Sequence, residues 1–214
     1  YDRVHLTEYF SGKSAKDLTL CRSDFADAYG IDLRLNTKAT EVDTLNKTIT
    51  TNHGDVIGYD KLVLATGSYA FVPPIPGNER ENCFVYRTIE DLDAIRAASL
   101  NAKTGVVIGG GLLGLEAAKA LRDLNLETHV VEFAPRLMAV QIDDLGGKVL
   151  RAKIENLGVK VHTQKATQCI EAGSNTTHVM KFGDGSELET DIVLFSAGIR
   201  PRDELARQSG LAIG

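Results

Sequence analysis

Short apolar runs alternate with amphipathic stretches in the middle of the chain. Three of the runs have the length and apolar content of strands that are covered on both faces of a sheet. They lie at 106–108, 127–133 and 159–162. Between them, apolar residues at helical spacing predict helices over 112–124 and 141–156, and Gly158 follows the second helix as a C-terminal cap. This alternation of strand and helix predicts an α/β fold with a parallel sheet.

The residues on either side of this region predict more strand than helix. Three β-type segments, with the turn Gly183-Asp184-Gly185 between the last two, predict a β-rich crossover over residues 167–190. A further buried strand is predicted at 191–196, and the proline-rich stretch 66–77 is predicted to be an ordered connector. The other predicted elements are helices near 23–29, 90–100 and 203–209, and strands at 31–35, 39–45, 47–51, 56–59 and 61–65.

Composition and charge exclude several classes of protein. The 214 residues include 24 Lys and Arg against 29 Asp and Glu, and a net charge of −5 argues against a nucleic-acid partner. No apolar run approaches the length of a membrane span, so no membrane partner is expected. Cys21, Cys83 and Cys169 are too far apart for a CxxC site or a disulfide framework, which favours a cytoplasmic setting. The five histidines show no ligand spacing, so no metal site is expected.

A G-x-G-x-x-G motif, Gly109-Gly110-Gly111-Leu112-Leu113-Gly114, follows a predicted strand and opens a predicted helix. In this context Gly109 permits the tight turn, Gly111 lets a diphosphate approach the backbone, and Gly114 lets helix and strand pack closely. The N–H groups and the positive dipole at the helix start would hold the diphosphate. The motif therefore predicts a Rossmann-type dinucleotide site, against the alternative of a glycine-rich turn without a ligand.

An acidic residue follows the motif at the position that contacts the adenosine ribose. Glu132 ends the second predicted strand, 18 residues after Gly114. Its carboxylate would accept hydrogen bonds from both ribose hydroxyls and repel a 2′-phosphate, which favours NADH over NADPH. Arg136 weakens that preference, because an arginine near this position can bind a 2′-phosphate.

Two flanking segments resemble the two-dinucleotide-fold flavoproteins of the pyridine nucleotide–disulfide reductase superfamily. Ala65-Thr66-Gly67 after an apolar strand is similar to the ATG motif of that superfamily. The segment from Phe195 to Pro201, FSAGIRP, is similar to the turn at which the chain leaves the NAD domain. The order of the three motifs is also that of the superfamily. The resemblance implies a Rossmann-type NAD-binding domain with a β-rich crossover, flanked by parts of a related FAD-binding domain.

Longer segments resemble the large subunits of assimilatory NAD(P)H-nitrite reductases. They lie at 1–10, 84–92, 132–138 and 196–203. The CxxxxC disulfide of the glutathione and lipoamide reductases is absent from these residues. The resemblance implies an NAD(P)H-dependent FAD oxidoreductase that passes hydride from NADH to FAD, and in the intact enzyme reduces nitrite to ammonium. A small subunit and a second copy of the chain are the protein partners that it suggests.

Two alternatives stay open. A rubredoxin- or ferredoxin-type NAD(P)H reductase shares the half-reaction and differs in the acceptor. A non-catalytic NAD-binding sensor module shares the nucleotide site but needs no second dinucleotide domain, so the flanking motifs argue against it.

The motif and the resemblance together define a set of cofactor-binding residues. Those for NAD are Gly109, Gly111, Leu112, Leu113, Gly114, Glu116, Glu132, Arg136 and Gly198. Those for FAD are Arg3, Ala39, Ala65, Thr66, Gly67 and Arg87. No catalytic side chain is expected, because the cofactors carry the chemistry of hydride transfer.

The resemblance is to a central segment of the large subunit. Residues 1–98 are expected to belong to a partial FAD-binding domain, 99–200 to the NAD(H)-binding domain and 201–214 to the return to the FAD-binding domain. The first glycine motif of the FAD domain is expected upstream of Tyr1, and its Gly-Asp motif beyond Gly214. Siroheme and the iron–sulfur cluster are likewise expected in other parts of the full-length protein. The segment alone is expected to bind NADH without turnover.

Overall fold

The chain forms two compact units in a computed structural model that describes residues 1–213. The first unit combines Tyr1–Leu20 with Ala70–Ile199. The second combines Cys21–Tyr69 with the segment that begins at Arg200. The predicted division into cofactor domains at 98/99 and 200/201 stays a prediction, and Gly214 at its end lies outside the described residues.

The structure contains thirteen strands and five α-helices within the described residues. The strands are β1 (Ala39–Asp43), β2 (Thr48–Thr51), β3 (Val56–Gly58), β4 (Ser68–Ala70), β5 (Cys83–Val85), β6 (Thr104–Ile108), β7 (Glu127–Val131), β8 (Val159–His162), β9 (Thr167–Ala172), β10 (His178–Phe182), β11 (Glu187–Thr190), β12 (Ile192–Phe195) and β13 (Ile199–Pro201). The helices are α1 (Phe25–Ala28), α2 (Ile89–Ser99), α3 (Leu112–Asp123), α4 (Asp144–Asn156) and α5 (Glu204–Gln208), and a 3-10 turn spans Leu6–Tyr9. None of these helices is both long and apolar enough to cross a membrane.

A five-stranded parallel sheet forms the centre of the first unit. Its strand order is β5-β12-β6-β7-β8. Val107 of β6 packs in one apolar cluster with residues of α2 and α3. Its neighbours Val106 and Ile108 pack in a second cluster with residues of β9 and β10. Because successive side chains of a strand point to opposite faces, both faces of this sheet are covered, and the predicted α/β fold is confirmed.

The β-rich crossover is a three-stranded antiparallel sheet, in the order β11-β10-β9. Met180 pairs with Leu188 on one side and with Ile170 on the other. Ile170, Met180 and Phe182 bury their side chains in the second apolar cluster of the unit. The crossover therefore covers one face of the parallel sheet, and the prediction for 167–190 is confirmed.

Side-chain caps fix the residues at which α2 and α4 begin. Thr88 caps α2, since its side chain accepts a hydrogen bond from the Asp91 N–H while the Asp91 carboxylate accepts one from the Thr88 N–H. Asp143 caps α4 through the Gly146 N–H at 2.7 Å. This cap explains why α4 begins at Asp144, three residues later than the apolar pattern predicts.

The second unit contains an antiparallel sheet of β1, β2 and β3. Val42 pairs with Ile49, and Ile49 pairs with Ile57. Helix α5 contacts β1 in the same unit. The predicted strands 39–45, 47–51 and 56–59 are therefore confirmed, each shorter than predicted.

Two predicted strands are wrong. Residues 31–35 and 61–65 have no strand hydrogen bonding, and Leu35 and Val63 are exposed. The alternation at 31–35 and the continuous apolar run at 61–65 indicate side chains that favour burial. A strand also needs a neighbouring backbone, and neither segment has one within the described residues. The short strands β4, β5 and β13 were not predicted, since three residues are too few to show a period.

Replacing Gly77 with Ala is expected to destabilise the first unit strongly. A Cβ at Gly77 would lie 1.9 Å from the Ile170 carbonyl oxygen, and the residue has φ +88°. Gly185 has a similar φ of +81° but open space around it. We expect a loss of about 3 kcal/mol or more for Gly77→Ala and of about 1 kcal/mol for Gly185→Ala, measured by chemical denaturation. Equal losses would contradict the close packing of this loop against β9.

The free energy of unfolding is expected to fall as the pH drops below about 6.5. His178 is fully buried, and burial lowers its pKa below the ordinary value for histidine. The unfolded chain then binds more protons than the folded chain, so stability is complete above the unfolded pKa and decreases below it. Denaturation curves at two pH values on either side of 6.5 should give a smaller pH slope for His178→Gln than for the original protein. Equal slopes would contradict the expectation, whatever the absolute stabilities.

Candidate nucleotide-binding site

A cavity of about 680 Å³ opens in the first unit at the carboxyl ends of the parallel strands. Ile108, Val131 and Phe195 lie at the ends of β6, β7 and β12. In parallel α/β sheets this edge is where ligands bind. The residues that line this strand-end cavity are Ala70, Pro73, Ile75, Tyr86, Arg87, Ile108, Gly109, Gly111, Leu112, Leu113, Val131, Glu132, Phe133, Lys165, Ala166, Thr167 and the run 195–199.

The glycine turn between β6 and α3 is built on two close backbone contacts. Gly109 has φ +118°, and a Cβ there would lie 2.3 Å from the Ser196 carbonyl oxygen. A Cβ at Gly114 would lie 1.9 Å from the Gly109 carbonyl oxygen. Both positions therefore exclude a side chain, and the first turn of α3 lies directly against the strand ends.

Gly111 leaves the start of α3 open. It is the N-cap residue of the helix and has no side chain to accept hydrogen bonds from the first turn. A Cβ at Gly111 would meet no atom within 4 Å, in contrast to Gly109 and Gly114. Leu112 and Leu113 continue the cavity lining after it. This open helix N-terminus fits the diphosphate of a dinucleotide, because N–H groups and the helix dipole meet there.

The Glu132 carboxylate is held beside the glycine turn. Its Oε2 accepts a hydrogen bond from the Gly110 N–H at 2.5 Å, and its Oε1 accepts one from the Ala134 N–H at 2.7 Å. A carboxylate has about four acceptor positions, so two of them stay available for hydroxyl groups. Glu132 lines the strand-end cavity in this fixed orientation.

The guanidinium of Arg136 binds acceptors that follow it closely in the sequence. It donates to the carbonyl oxygens of Ile142 and Ala139, both at 3.0 Å, and forms an ion pair with Asp144 at 2.7 Å. It lines a separate cavity with Lys148 and Arg151, not the strand-end cavity. Arg136 was predicted to bind the nucleotide, but it does not line the strand-end cavity.

Glu116 lies one turn into α3 and is partly buried. Burial raises the pKa of its carboxyl, and the nearby His5 partly opposes this effect. Tyr86, which lines the strand-end cavity, donates a hydrogen bond to Thr7 Oγ1 at 3.2 Å. Burial raises the pKa of Tyr86 to about 12, so its hydroxyl keeps its proton at neutral pH. Glu116 itself does not line the cavity.

Part of the predicted FAD set lies together in the second unit. Ala39 and Thr66 line a cavity of about 810 Å³ with Tyr69, Arg202 and Leu205. Thr66 donates its hydroxyl proton to the Arg202 carbonyl oxygen at 2.5 Å.

The remaining predicted FAD residues do not line this cavity. Ala65 and Gly67 are exposed on either side of Thr66, and the Gly67 carbonyl oxygen accepts a hydrogen bond from the Arg202 N–H at 2.9 Å. In the first unit, Arg87 lines the strand-end cavity and Arg3 is exposed.

Sequence reasoning missed several residues of the strand-end cavity. Phe133, Lys165 and Thr167 line it but were not among the predicted cofactor-binding residues. They follow the ends of β7 and β8, so the rule that ligands bind at the carboxyl ends of parallel strands could have identified them. Gly198, which was predicted, lines the cavity from the segment after β12.

Curated proteins match the whole chain. The nitrite reductase [NAD(P)H] large subunit of Klebsiella oxytoca is 57% identical over all 214 residues, which make up 22% of that relative. The nitrite reductase (NADH) large subunit of Escherichia coli (strain K12) is 52% identical over the same span, which is 25% of its length. The chain therefore spans a quarter or less of these relatives.

Solved structures and a family profile agree on the fold. A ferredoxin reductase for the CYP199A2 system from Rhodopseudomonas palustris has a TM-score of 0.92 and 27% sequence identity, over all of this chain and 53% of its own. The profile of the family described as pyridine nucleotide-disulphide oxidoreductase matches residues 6–214. The chain belongs to the pyridine nucleotide-disulphide oxidoreductase family.

Proposed function

We propose that the chain is the NADH-binding part of a flavoprotein reductase, which passes hydride from NADH to FAD. The observation that carries the proposal is the glycine turn with the Glu132 carboxylate fixed beside it. An open helix N-terminus suits a diphosphate, and a carboxylate with free acceptor positions suits two ribose hydroxyls. The two features lie at the same strand-end cavity, as one dinucleotide would require.

The same geometry favours NADH over NADPH. A 2′-phosphate carries more than one negative charge at neutral pH and would approach the Glu132 carboxylate. Arg136, the cation that could offset this repulsion, donates to Ile142, Ala139 and Asp144 instead. In this proposal Glu132 binds the ribose and discriminates against the phosphate.

The second cavity supports a flavin in the intact protein. Ala39 and Thr66, predicted from the resemblance to contact FAD, line it together. FAD, when bound, supplies the electron-accepting ring that takes up hydride. The chain's own part is to bind and orient: the glycine turn holds the diphosphate, and Glu132 fixes the adenosine end.

We further propose that the intact protein reduces nitrite to ammonium, with siroheme and an iron–sulfur cluster in other parts of the protein. The support is the name and the 52–57% identity of the nitrite reductase large subunits. A small subunit, a homodimer and a cytoplasmic setting belong to the same proposal. A rubredoxin- or ferredoxin-type reductase is the second candidate, favoured by the close structural match to a ferredoxin reductase.

Replacing Glu132 with Ala is expected to weaken NADH binding from a few-fold to tens-fold. The loss corresponds to about 1–2 kcal/mol for hydrogen bonds to a charged group. Calorimetric titration of the intact protein with NADH and with NADPH measures the change. The affinity for NADPH should fall less, or rise, since the repulsion is removed with the carboxylate.

A matched control lies at the start of β7, the strand that Glu132 follows. Glu127 begins β7, is exposed and pairs with Lys160, so Glu127→Ala should leave both affinities unchanged. Tighter binding of NADPH than of NADH by the original protein would overturn the role given to Glu132.

The intact protein is expected to show the absorbance of bound flavin and to lose it on addition of NADH under anaerobic conditions. Nitrite should restore the oxidised spectrum, whereas rubredoxin or ferredoxin alone should not. Restoration by the protein acceptors alone would favour the second candidate. Absence of bound flavin would exclude both reductases and favour a nucleotide-binding sensor.

A further inference from the structure

Two cations line the strand-end cavity within the described residues, Arg87 and Lys165. Lys165 is the one beside Glu132, because its N–H donates to the Glu132 carbonyl oxygen at 3.0 Å. The preceding Gln164 N–H donates to the Ala134 carbonyl oxygen, also at 3.0 Å. Through these two hydrogen bonds the segment after β8 runs beside the segment after β7. Both segments lie at the end of the cavity that Glu132 lines.

The ammonium of Lys165 binds the crossover hairpin. It forms an ion pair with Asp184 and donates to Ser186 Oγ at 2.6 Å. It also lies 5.5 Å from the centre of the Phe182 ring. The Lys165 side chain is only 22% exposed, so these contacts occupy most of its surroundings. An ammonium bound in this way is largely unavailable to a ligand.

The hairpin holds Asp184 in place for this contact. Ser186 donates to Asp184 Oδ1 through its N–H at 3.0 Å and its hydroxyl at 2.6 Å. The contacts with Lys165 and Ser186 hold the pKa of the Asp184 carboxyl well below its usual range, so it is ionised at neutral pH. The pair is thus a charged contact between the wall of the cavity and a turn that does not line it.

We propose that Asp184 is a specificity-determining residue that withholds the Lys165 ammonium from a 2′-phosphate. The inference rests on the proposed function, since it concerns the choice between NADH and NADPH. Lys165 has the charge and the position beside Glu132 to bind the additional phosphate. While Asp184 and Ser186 hold its ammonium, the Glu132 carboxylate repels that phosphate and Lys165 does not offset the repulsion.

Replacing Asp184 with Asn is expected to tighten NADPH binding about tenfold, the effect of one charge-assisted contact. The Kd for NADH should change less than about threefold, because NADH has no phosphate at this position. Calorimetry on the intact, FAD-loaded protein gives both constants without relying on turnover. The gain should shrink as salt is added, as expected for an ionic contact.

The double variant Asp184→Asn/Lys165→Met separates release of Lys165 from simple removal of a negative charge. The gain in NADPH affinity should disappear in the double variant. Persistence of the gain, or its absence in Asp184→Asn, would overturn the proposal. Ser186→Ala keeps the ion pair and removes one acceptor, so it should give a smaller gain, and it replaces Asp184→Asn as the test if that variant fails to fold.

An ion pair on the same crossover sheet is the matched control. Lys181 and Glu171 pair at 2.7 Å, and neither lines the strand-end cavity. Glu171→Gln should therefore leave the ratio of the two affinities unchanged. Failure of the original protein to bind NADH would overturn the proposed function, whereas NADH binding with an unaltered ratio in Asp184→Asn overturns only the role of Asp184.

Discussion

The close approach of the Gly109 carbonyl to Gly114 is the constraint on which the candidate site depends. A single Cβ at Gly114 would lie 1.9 Å from that carbonyl oxygen, so helix α3 starts against the strand end with no spacer. The approach fixes the direction of the turn and therefore the position of the Gly110 N–H, which binds Glu132. The proposed positions of the diphosphate and of the ribose are thereby linked through Gly111 and Gly110, two adjacent residues of one turn.

Four of the five strands of the central sheet, β6, β7, β8 and β12, were predictable because each is a short segment that contains apolar residues. Val106, Val107 and Ile108 are apolar in succession, and the structure buries them alternately in two clusters on opposite faces. The glycine motif was predictable because its first and last glycines, Gly109 and Gly114, make backbone contacts that a side chain would prevent. The segment 61–65 has the same apolar pattern as a buried strand but no neighbouring strand, and the pattern alone cannot supply one.

The charges of the site were harder to predict than its backbone. Arg136 is close to Glu132 in sequence, but its guanidinium is taken up by two carbonyl groups of its own loop and by Asp144. Lys165 belongs to no motif and reaches the cavity only because β8 ends beside β7. Spacing along a chain does not show which acceptor a long, flexible cation selects, since that choice depends on contacts made after folding.

The order of strands also affects how the chain acquires this fold. β12 lies between β5 and β6, although it is the last of the five strands to be synthesised. Leu194 pairs with Phe84 on one side and with Val107 on the other, so β5 gains its neighbour in the sheet only when β12 arrives. The sheet therefore closes through contacts distant in sequence, which are slow to form. During synthesis on the ribosome, the end of β12 that lines the cavity is therefore completed last. A nascent chain stopped before residue 192 lacks this wall of the cavity, and its β5 has no neighbouring strand.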